Sequence, residues 1–250
     1  MIRVENLAKR FERGREAPGS YVQAVASVSF SAENGRVTGP LGPNGAGKTT
    51  TLRMISTLVQ PSEGMACVDE CEVRADPIAV RARLGMLTDA RGLYSRLSAR
   101  ENIAYYGELR GMSRAALAAS IARLAEWLDL GSLMDRRTEG FSQGERKKVA
   151  IARSLVHDPP NVVLDEPTNG LDVMTTRNLR DVIRRLRDEG KCVLFSSHVM
   201  QEVTALCDII LIMAHGRIVA SGSAGELLAA SGRANLEDAF VALTGESLPP

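Results

Sequence analysis

The sequence lacks any long apolar run, and this absence bears first on membrane spanning. Its longest uninterrupted apolar stretch runs from Ile209 to Ala214, far short of the ~20 residues that a helix needs to cross a bilayer. The first residues mix both charge signs and lack the apolar centre of a secretion signal. We therefore expect a protein that does not span a membrane and that stays in the cytosol.

An excess of one charge sign is also absent. Lys and Arg together number 31 and Asp and Glu number 30, which gives a formal net charge of +1 over 250 residues. So balanced a chain has no strong field with which to hold nucleic acid or an anionic membrane by charge alone. We expect no nucleic-acid partner, and a globular protein of one large domain or two small ones.

Cysteines are few, and their spacing does not favour a metal site. Cys67 and Cys71 are separated by three residues, whereas Cys192 and Cys207 lie far along the chain without paired histidines. In a cytosolic protein such cysteines are predicted to be reduced thiols that pack or are incidental.

Residue periodicity predicts strands at the start of the chain and helices in its middle. A loop rich in glycine, proline and charge at 12–20 precedes an alternating strand pattern at 22–30. A second strand at 36–41 leads directly into a glycine-rich turn. A capping box at Ser98 and Glu101, followed by apolar residues at helical spacing, predicts that the middle section is mainly helical.

The last third of the chain alternates between strand patterns and helical stripes. Strands are predicted at 161–164, 192–195, 208–213 and 216–219. A helical stripe separates the first two, and apolar helical stretches begin near Gly225 and Leu236. Because a strand, helix, strand order favours parallel pairing, the pattern predicts an α/β fold with a helical insertion.

The glycine-rich turn has the form of a phosphate-binding loop. Its sequence GPNGAGKT fits G-x-x-x-x-G-K-[ST] between a predicted strand and a predicted helix, a context that disfavours an accidental turn. Glycines let successive N–H groups face phosphate oxygens, Lys48 can reach the β- and γ-phosphates, and Thr49 can ligate Mg²⁺. The predicted nucleotide-binding residues are Gly42, Pro43, Asn44, Gly45, Ala46, Gly47, Lys48, Thr49 and Thr50.

A second chemical signal is an apolar strand that ends in two acids. Residues 162–164 are Val-Val-Leu, and Asp165 and Glu166 follow them. One carboxylate can support a Mg²⁺ shell while the next, which points differently, polarises a water molecule, and this arrangement suits hydrolysis. A solvated acidic turn is the alternative for the pair alone, but the run continues as PTNGLD at 167–172.

With these segments together, the sequence resembles the ATP-binding cassette (ABC) ATPase family over nearly its whole length. Its motifs occur in the family's order: GPNGAGKT at 42–49, FSQGE at 141–145, VVLDEP at 162–167, NGLD at 169–172 and SSH at 196–198. The wider sequence is most similar to ATPases of the sodium-efflux (Nat-type) and drug-efflux branches. The resemblance implies a P-loop NTPase core with a parallel sheet, an N-terminal antiparallel β part and an inserted helical subdomain. It implies a single domain 1–250, with a core of 1–94 and 158–250 and a helical subdomain of 95–157.

The resemblance also implies roles for single residues around ATP and Mg²⁺. Glu166 is the expected general base, Asp165 is expected to support Mg²⁺, and His198 is expected to sense the γ-phosphate. Phe11 aligns with the aromatic residue that stacks on adenine. Tyr21 competes for that role because the loop between the two blurs the alignment.

The FSQGE segment carries the expectation of a site shared by two chains. Ser142 and Glu145 form a capping box, for which a plain helix start is the alternative explanation. The resemblance implies that Ser142 and Gly144 contact the γ-phosphate bound by the opposite subunit, and that Asp172 belongs to the nucleotide site. ATP would then join two head-to-tail copies, so a second ATPase subunit, in a homodimer, is the expected partner.

Two positions depart from the family pattern. Asp89 stands where the family usually has glutamine; it can accept a hydrogen bond from Mg²⁺-bound water but cannot donate one. It either contacts the metal or caps its loop without touching it. Pro40 lies where a central strand usually has a free N–H, so the strand either ends at Gly39 or loses one ladder bond.

A cassette without a spanning helix needs a separate membrane permease if it works in transport. The resemblance implies an exporter subunit that is cytoplasmic and peripheral on the inner face of the cell membrane. Tyr94, Tyr105 and Tyr106 suit an aromatic docking patch for that permease, with ordinary half-buried tyrosines as the alternative. The main alternative function is a soluble ABC ATPase outside transport, which would be expected to show two cassettes or a long coiled-coil insertion. A kinase would leave FSQGE, NGLD and His198 without roles.

Overall fold

The computed structural model describes residues 1–12, 20–87 and 92–245, and the strands within these ranges form one mixed sheet. The strands are β1 (Ile2–Glu12), β2 (Tyr21–Ala32), β3 (Arg36–Leu41), β4 (Glu63–Val68), β5 (Cys71–Glu72), β6 (Leu84–Leu87), β7 (Asn161–Asp165), β8 (Cys192–Ser196), β9 (Ile209–Ala214) and β10 (Arg217–Gly222). Their order across the sheet is β5-β4-β1-β2-β10-β9-β3-β8-β7-β6.

Helices cover the sheet and fill the middle of the chain. They are α1 (Lys48–Ile55), α2 (Pro77–Ala82), α3 (Ala99–Leu109), α4 (Arg114–Trp127), α5 (Gln143–Leu155), α6 (Val173–Asp188), α7 (Met200–Leu206), α8 (Ala224–Ser231) and α9 (Leu236–Thr244). Within the described ranges, no helix has both the length and the apolar character that crossing a membrane requires.

The predicted parallel core is confirmed at the centre of the sheet. β3 pairs in parallel with β8 and β9, and β7 pairs in parallel with β6 and β8. Every residue of β7 and β8 is buried, as expected where helices cover both faces of a parallel sheet. Because all these strands run the same way, the segments that follow β3, β7 and β8 meet at one edge of the sheet.

The N-terminal strands form the antiparallel part of the same sheet, also as expected. β1 pairs antiparallel with β2 on one side and with β4 on the other, and irregularities interrupt its register. A parallel pair between Arg217 of β10 and Ser27 of β2 joins this part to the core. The sheet is therefore continuous from the N-terminal strands to the parallel core.

The predicted helical middle is also observed, with its local start signals. Ser98 and Ser142 each cap their helix with a complete capping box, completed by Glu101 and Glu145 three residues later. The apolar stripe of α4 is buried against the other helices of the middle section. One cluster of buried side chains continues from these helices to β7, β8 and β9, so the helices are firmly attached to the sheet.

The structure decides between the alternatives for Pro40. β3 does not end at Gly39, because it continues through Pro40 to Leu41 in parallel pairing with β9. Its pairing with β8 stops at Thr38, before the proline. The strand therefore continues through Pro40 only on the side of β9.

Candidate nucleotide site

The predicted phosphate-binding loop lies between β3 and α1, as its sequence pattern requires. Gly47 caps α1 with φ at 99°, in the left-handed region, and a β-carbon there would lie 2.8 Å from the carbonyl oxygen of Ala24. A β-carbon on Gly42 would collide with the carbonyl oxygen of Met213. The first and last glycines of the loop are thus required by close backbone approach and, at Gly47, by conformation.

The loop borders a cleft of about 610 Å³. The cleft is also bounded by β2 and by the segments that follow β7 and β8. Because the first turn of a helix has unpaired N–H groups and a partial positive charge, the start of α1 makes this cleft suitable for phosphate. The lining residues are Val22, Gln23, Ala24, Pro43, Asn44, Gly45, Ala46, Gly47, Lys48, Thr49, Thr50, Glu166, Asn169 and His198.

The Lys48 ammonium is turned back onto its own loop. Its Nζ donates to the carbonyl oxygens of Gly42 at 2.5 Å and Pro43 at 3.1 Å, and the residue is only 6% exposed. Burial lowers the pKa of Lys48, and the carboxylates of Glu166 and Asp165 act against this. A phosphate oxygen in the cleft would offer the ammonium a charged acceptor, which gives a stronger hydrogen bond than a neutral carbonyl.

Asp165 lies at the end of β7, directly opposite Ser196 of β8. Its Oδ1 accepts hydrogen bonds from Ser196 Oγ at 2.7 Å and from Thr49 Oγ1 at 3.2 Å. Burial raises the pKa of Asp165, and the hydrogen bonds from Ser196 and Thr49 act in the opposite direction. A threonine hydroxyl and a carboxylate in contact are hard oxygen donors, so this pair fits a magnesium ion.

Glu166 contacts His198 at the border of the cleft. Glu166 Oε2 lies 2.7 Å from His198 Nδ1, and the histidine side chain is half exposed. The backbone of Glu166 adopts φ of 48°, a conformation that costs about 1–3 kcal/mol for a residue with a side chain. Its N–H donates to the Oγ and the carbonyl oxygen of Ser196 at 3.0 and 3.2 Å. Hydrogen bonds to acceptors on β8 thus hold a strained residue whose carboxylate borders the cleft.

Sequence reasoning missed Lys147, a buried cation that supports the segment after β7. It is 7% exposed on α5, and its Nζ donates to the carbonyl oxygens of Glu166 at 3.1 Å and Asn169 at 2.7 Å. The helical spacing of the sequence could have revealed it, because Lys147 shares a face of α5 with Ala150 and Ile151, which are buried. A lysine on an apolar helix face requires polar partners from elsewhere in the fold.

Ser142, Gly144 and Asp172 do not line the cleft. Ser142 is the exposed N-cap of α5, and Asp172 is the N-cap of α6. The start of α5 packs against the segment before α6, because a β-carbon on Gly144 would lie 3.7 Å from Leu171 Cδ2. Within one chain these predicted residues therefore form a surface separate from the phosphate-binding loop.

The structure separates the two candidates for adenine stacking. Phe11 is 41% exposed and is the direct cross-strand partner of Val22, which lines the cleft. Tyr21, which is 61% exposed, pairs with Glu12 and so lies on the opposite face of β2 from Val22. Neither ring lines the cleft itself, but Phe11 shares the face that does. Asp89, the candidate metal contact, lies outside the described residues.

Comparison with known proteins gives concordant results. A family model described as ABC transporter matches residues 25–169. The chain is 43% identical over 224 residues to the ABC transporter ATP-binding protein NatA of Bacillus subtilis (strain 168), covering 89% of each chain. It is 37% identical over 221 residues to the daunorubicin/doxorubicin resistance ATP-binding protein DrrA of Streptomyces peucetius, covering 87% of this chain and 67% of that one. A solved ATP-binding subunit of an ABC transporter superposes with a TM-score of 0.86 at 25% identity, covering 97% of this chain and 99% of the other.

Proposed function

This chain is an ATPase of the ABC transporter family, and we propose that it drives an exporter whose membrane-spanning part is a separate permease subunit. The observation that carries the hydrolysis of ATP in this proposal is the contact between Glu166 and His198 beside the phosphate-binding loop. A carboxylate and an imidazole at this place are suited to activate water and to bind the terminal phosphate.

The residues of the cleft divide the work of hydrolysis. Lys48 binds the phosphates, and Glu166 accepts a proton from, or orients, the attacking water. His198 is oriented through Nδ1 by Glu166, so its other ring nitrogen can face the γ-phosphate. Thr49 and Asp165 would hold Mg²⁺, which supplies positive charge to offset the negative charge of the transferring phosphoryl group.

We propose that Ser142 and Gly144 complete this site on a second copy of the chain. Ser142 Oγ accepts from the N–H of Glu145, which leaves the hydroxyl proton free to donate to a phosphate. The N–H of Gly144 lies in the first helical turn, where no acceptor exists within the helix. Because neither residue lines its own cleft, a head-to-tail pair of copies brings them to the γ-phosphate, and Asp172 lies on the same surface.

Replacing Glu166 by glutamine tests both the assignment of the base and the site shared by two copies. Glu166→Gln keeps the shape of the side chain but removes the base, so ATP binding persists while turnover falls by at least ~100-fold. ATP-bound dimer then accumulates, which size-exclusion chromatography with ATP detects. Glu126→Gln, on the exposed surface of α4, serves as the control and keeps wild-type turnover. A monomeric Glu166→Gln protein with full hydrolysis would contradict the base assignment and the shared site.

We propose that the permease subunit contacts the chain at a cluster of tyrosines on α3 and before it. Tyr94 packs edge-on against Tyr105 with ring centroids 5.4 Å apart, and Tyr105 packs in the same way against Tyr106 at 5.9 Å. Tyr94 and Tyr105 are 48% and 39% exposed, which suits an aromatic docking patch. Such a contact would place the chain at the cytoplasmic face of the membrane.

The docking proposal is tested by co-purification with a membrane protein from the producing cells, identified by mass spectrometry. Changing both Tyr105 and Tyr106 to alanine is expected to abolish co-purification, because it removes the aromatic contact while leaving the nucleotide cleft intact. Tyr21→Ala, an exposed tyrosine on β2, is the matched control. Unchanged recovery of the membrane protein by the double variant would place the docking surface elsewhere.

Export is favoured because the relative from Streptomyces peucetius is named for drug resistance.

A further inference from the structure

Glu202, on α7, is a buried carboxylate with no part in the chemistry described so far. The residue is 5% exposed. Its Oε2 accepts hydrogen bonds from Thr168 Oγ1 at 2.6 Å and from Ser197 Oγ at 2.9 Å. Its Oε1 lies 3.5 Å from Arg180 Nη2, which offsets part of the cost of burying the charge.

The two hydroxyl groups bound by Glu202 belong to the two segments that carry the reactive side chains. Thr168 lies two residues after Glu166, and Ser197 immediately precedes His198. Ser197 Oγ also accepts from the N–H of Val199 at 3.0 Å, so both sides of His198 are held at this point. A single carboxylate thus joins the segment after β7 to the segment after β8.

This connection bears directly on the contact between Glu166 and His198. The 2.7 Å distance between Glu166 Oε2 and His198 Nδ1 spans the same two segments. Glu166 is strained at φ of 48°, and such a conformation persists only where its surroundings fix it. The N–H of Glu166 donates to Ser196 and Lys147 donates to the carbonyl oxygen of Glu166, but neither contact holds the side chain of Thr168.

We propose that Glu202 is a positioning residue that keeps Glu166 and His198 in the alignment needed for hydrolysis. It acts through Thr168 and Ser197 and does not line the ATP cleft. The inference rests on the proposed role of Glu166 as the base.

Replacement of Glu202 separates positioning from binding. Glu202→Met keeps the length of the side chain but removes both acceptor oxygens, so both hydroxyl contacts are lost and the alignment of Glu166 with His198 shifts. A misplacement on the order of 1 Å costs up to roughly 100-fold in rate, and we expect kcat to fall about 10-fold to 100-fold. The KM for ATP stays within about 2-fold of wild type, since Glu202 contacts neither the loop nor the nucleotide cleft. Thr168→Val, which removes one contact from the opposite side, is expected to lower kcat in the same way.

A spectroscopic readout distinguishes positioning from loss of stability. The ¹⁵N signal of His198 Nδ1 is expected to move in Glu202→Met towards its position in Glu166→Gln, because both changes weaken the same hydrogen bond. Ser120→Ala is the matched control, since Ser120 Oγ is buried and donates to the Val156 carbonyl oxygen at 2.7 Å, outside the cleft. That variant loses stability but keeps the kcat and the His198 signal of wild type.

The outcomes separate this inference from the proposed function. If Glu202→Met and Thr168→Val keep wild-type kcat and His198 signals while Glu166→Gln is inactive, the positioning role is wrong and the proposed function stands. A drop in kcat with an unmoved His198 signal, or with an equal loss of ATP-binding sites, would also overturn it, because both indicate a purely structural role. If Glu166→Gln itself remains active, the proposed base fails, independently of Glu202.

Discussion

The burial of Asp165 predicts that its ionised carboxylate lowers the free energy of unfolding at neutral pH. Burial raises the pKa of Asp165 in the folded protein above its ordinary value of 3.8, despite hydrogen bonds from Ser196 and Thr49. The folded state therefore binds the proton more tightly than the unfolded state does. At neutral pH the ionised carboxylate disfavours folding, and the variant Asp165→Asn removes that charge while preserving the shape.

The sign and size of the effect follow from this linkage. A raised folded-state pKa contributes stability below pH 3.8, and the contribution is lost as the pH rises through the folded-state value. Asparagine does not ionise, so Asp165→Asn does not lose this stability. The difference in free energy of unfolding between the variant and wild type therefore grows with pH above 3.8 and then levels off. Stabilising substitutions commonly contribute about 0.5–2 kcal/mol, so we expect a gain of about 1 kcal/mol in the free energy of unfolding, or ~2–4 °C in Tm for a chain of this size. The same variant is expected to lose Mg²⁺-dependent hydrolysis.

The measurement is thermal unfolding followed by circular dichroism, without nucleotide and with chelator, between pH 4 and pH 8. Asp181→Asn provides the control, because Asp181 is an exposed carboxylate paired with Arg184 on α6, and such pairs contribute at most about 1 kcal/mol. We expect the control to show no comparable gain at pH 7. A destabilised Asp165→Asn at pH 7, or a gain that is the same at every pH, would refute the reasoning.

Two further predictions concern the adenine contact and a buried histidine. Phe11→Ala is expected to weaken ATP binding about 10-fold, by the usual energy of aromatic stacking on a base, while Tyr21→Ala changes it less than about 2-fold; titration of a fluorescent ATP analogue measures both, and the reverse order would favour Tyr21. Burial, and after it the Arg110 guanidinium, lower the pKa of His157 from 6.5 to about 4. Stability linked to His157 is therefore present above pH 6.5 and lost as the pH falls towards 4, by up to about 3 kcal/mol. Urea unfolding of His157→Gln should show a flatter pH dependence than wild type over this window, and parallel curves would contradict the assignment.

Features encoded by neighbouring residues were predictable from the sequence. The capping boxes at Ser98 and Ser142 each need only a residue and its neighbour three positions later, and both are observed. The glycine-rich loop was correctly expected between a strand and a helix, because its glycines and both flanking elements are contiguous in the chain. The buried strands β7 and β8 were also found, since fully covered parallel strands are continuously apolar.

Features that depend on pairing between distant segments were not predicted. β4 was missed because it is short and exposed at its start, and it forms by pairing with β1 on one side and β5 on the other. The sequence around Pro40 gives no indication that this residue lies beyond the last pair between β3 and β8, Thr38 with Leu194, because that pair joins distant segments. The support of the segment after β7 by Lys147 joins residues that the sequence separates, and only the fold brings them together.

The two serines before His198 show why a motif identifies a site more readily than its supports. Successive residues of a strand point to opposite faces, and the chain leaves β8 at this point. Ser196 accordingly binds Asp165 and the N–H of Glu166, whereas Ser197 binds Glu202. In sequence the two are an identical pair, yet Ser196 contacts the two residues at the end of β7 and Ser197 contacts α7. Their different contacts follow from their positions, since Ser196 is the last residue of β8 and Ser197 lies just after it, and the identity of the residues alone does not distinguish them.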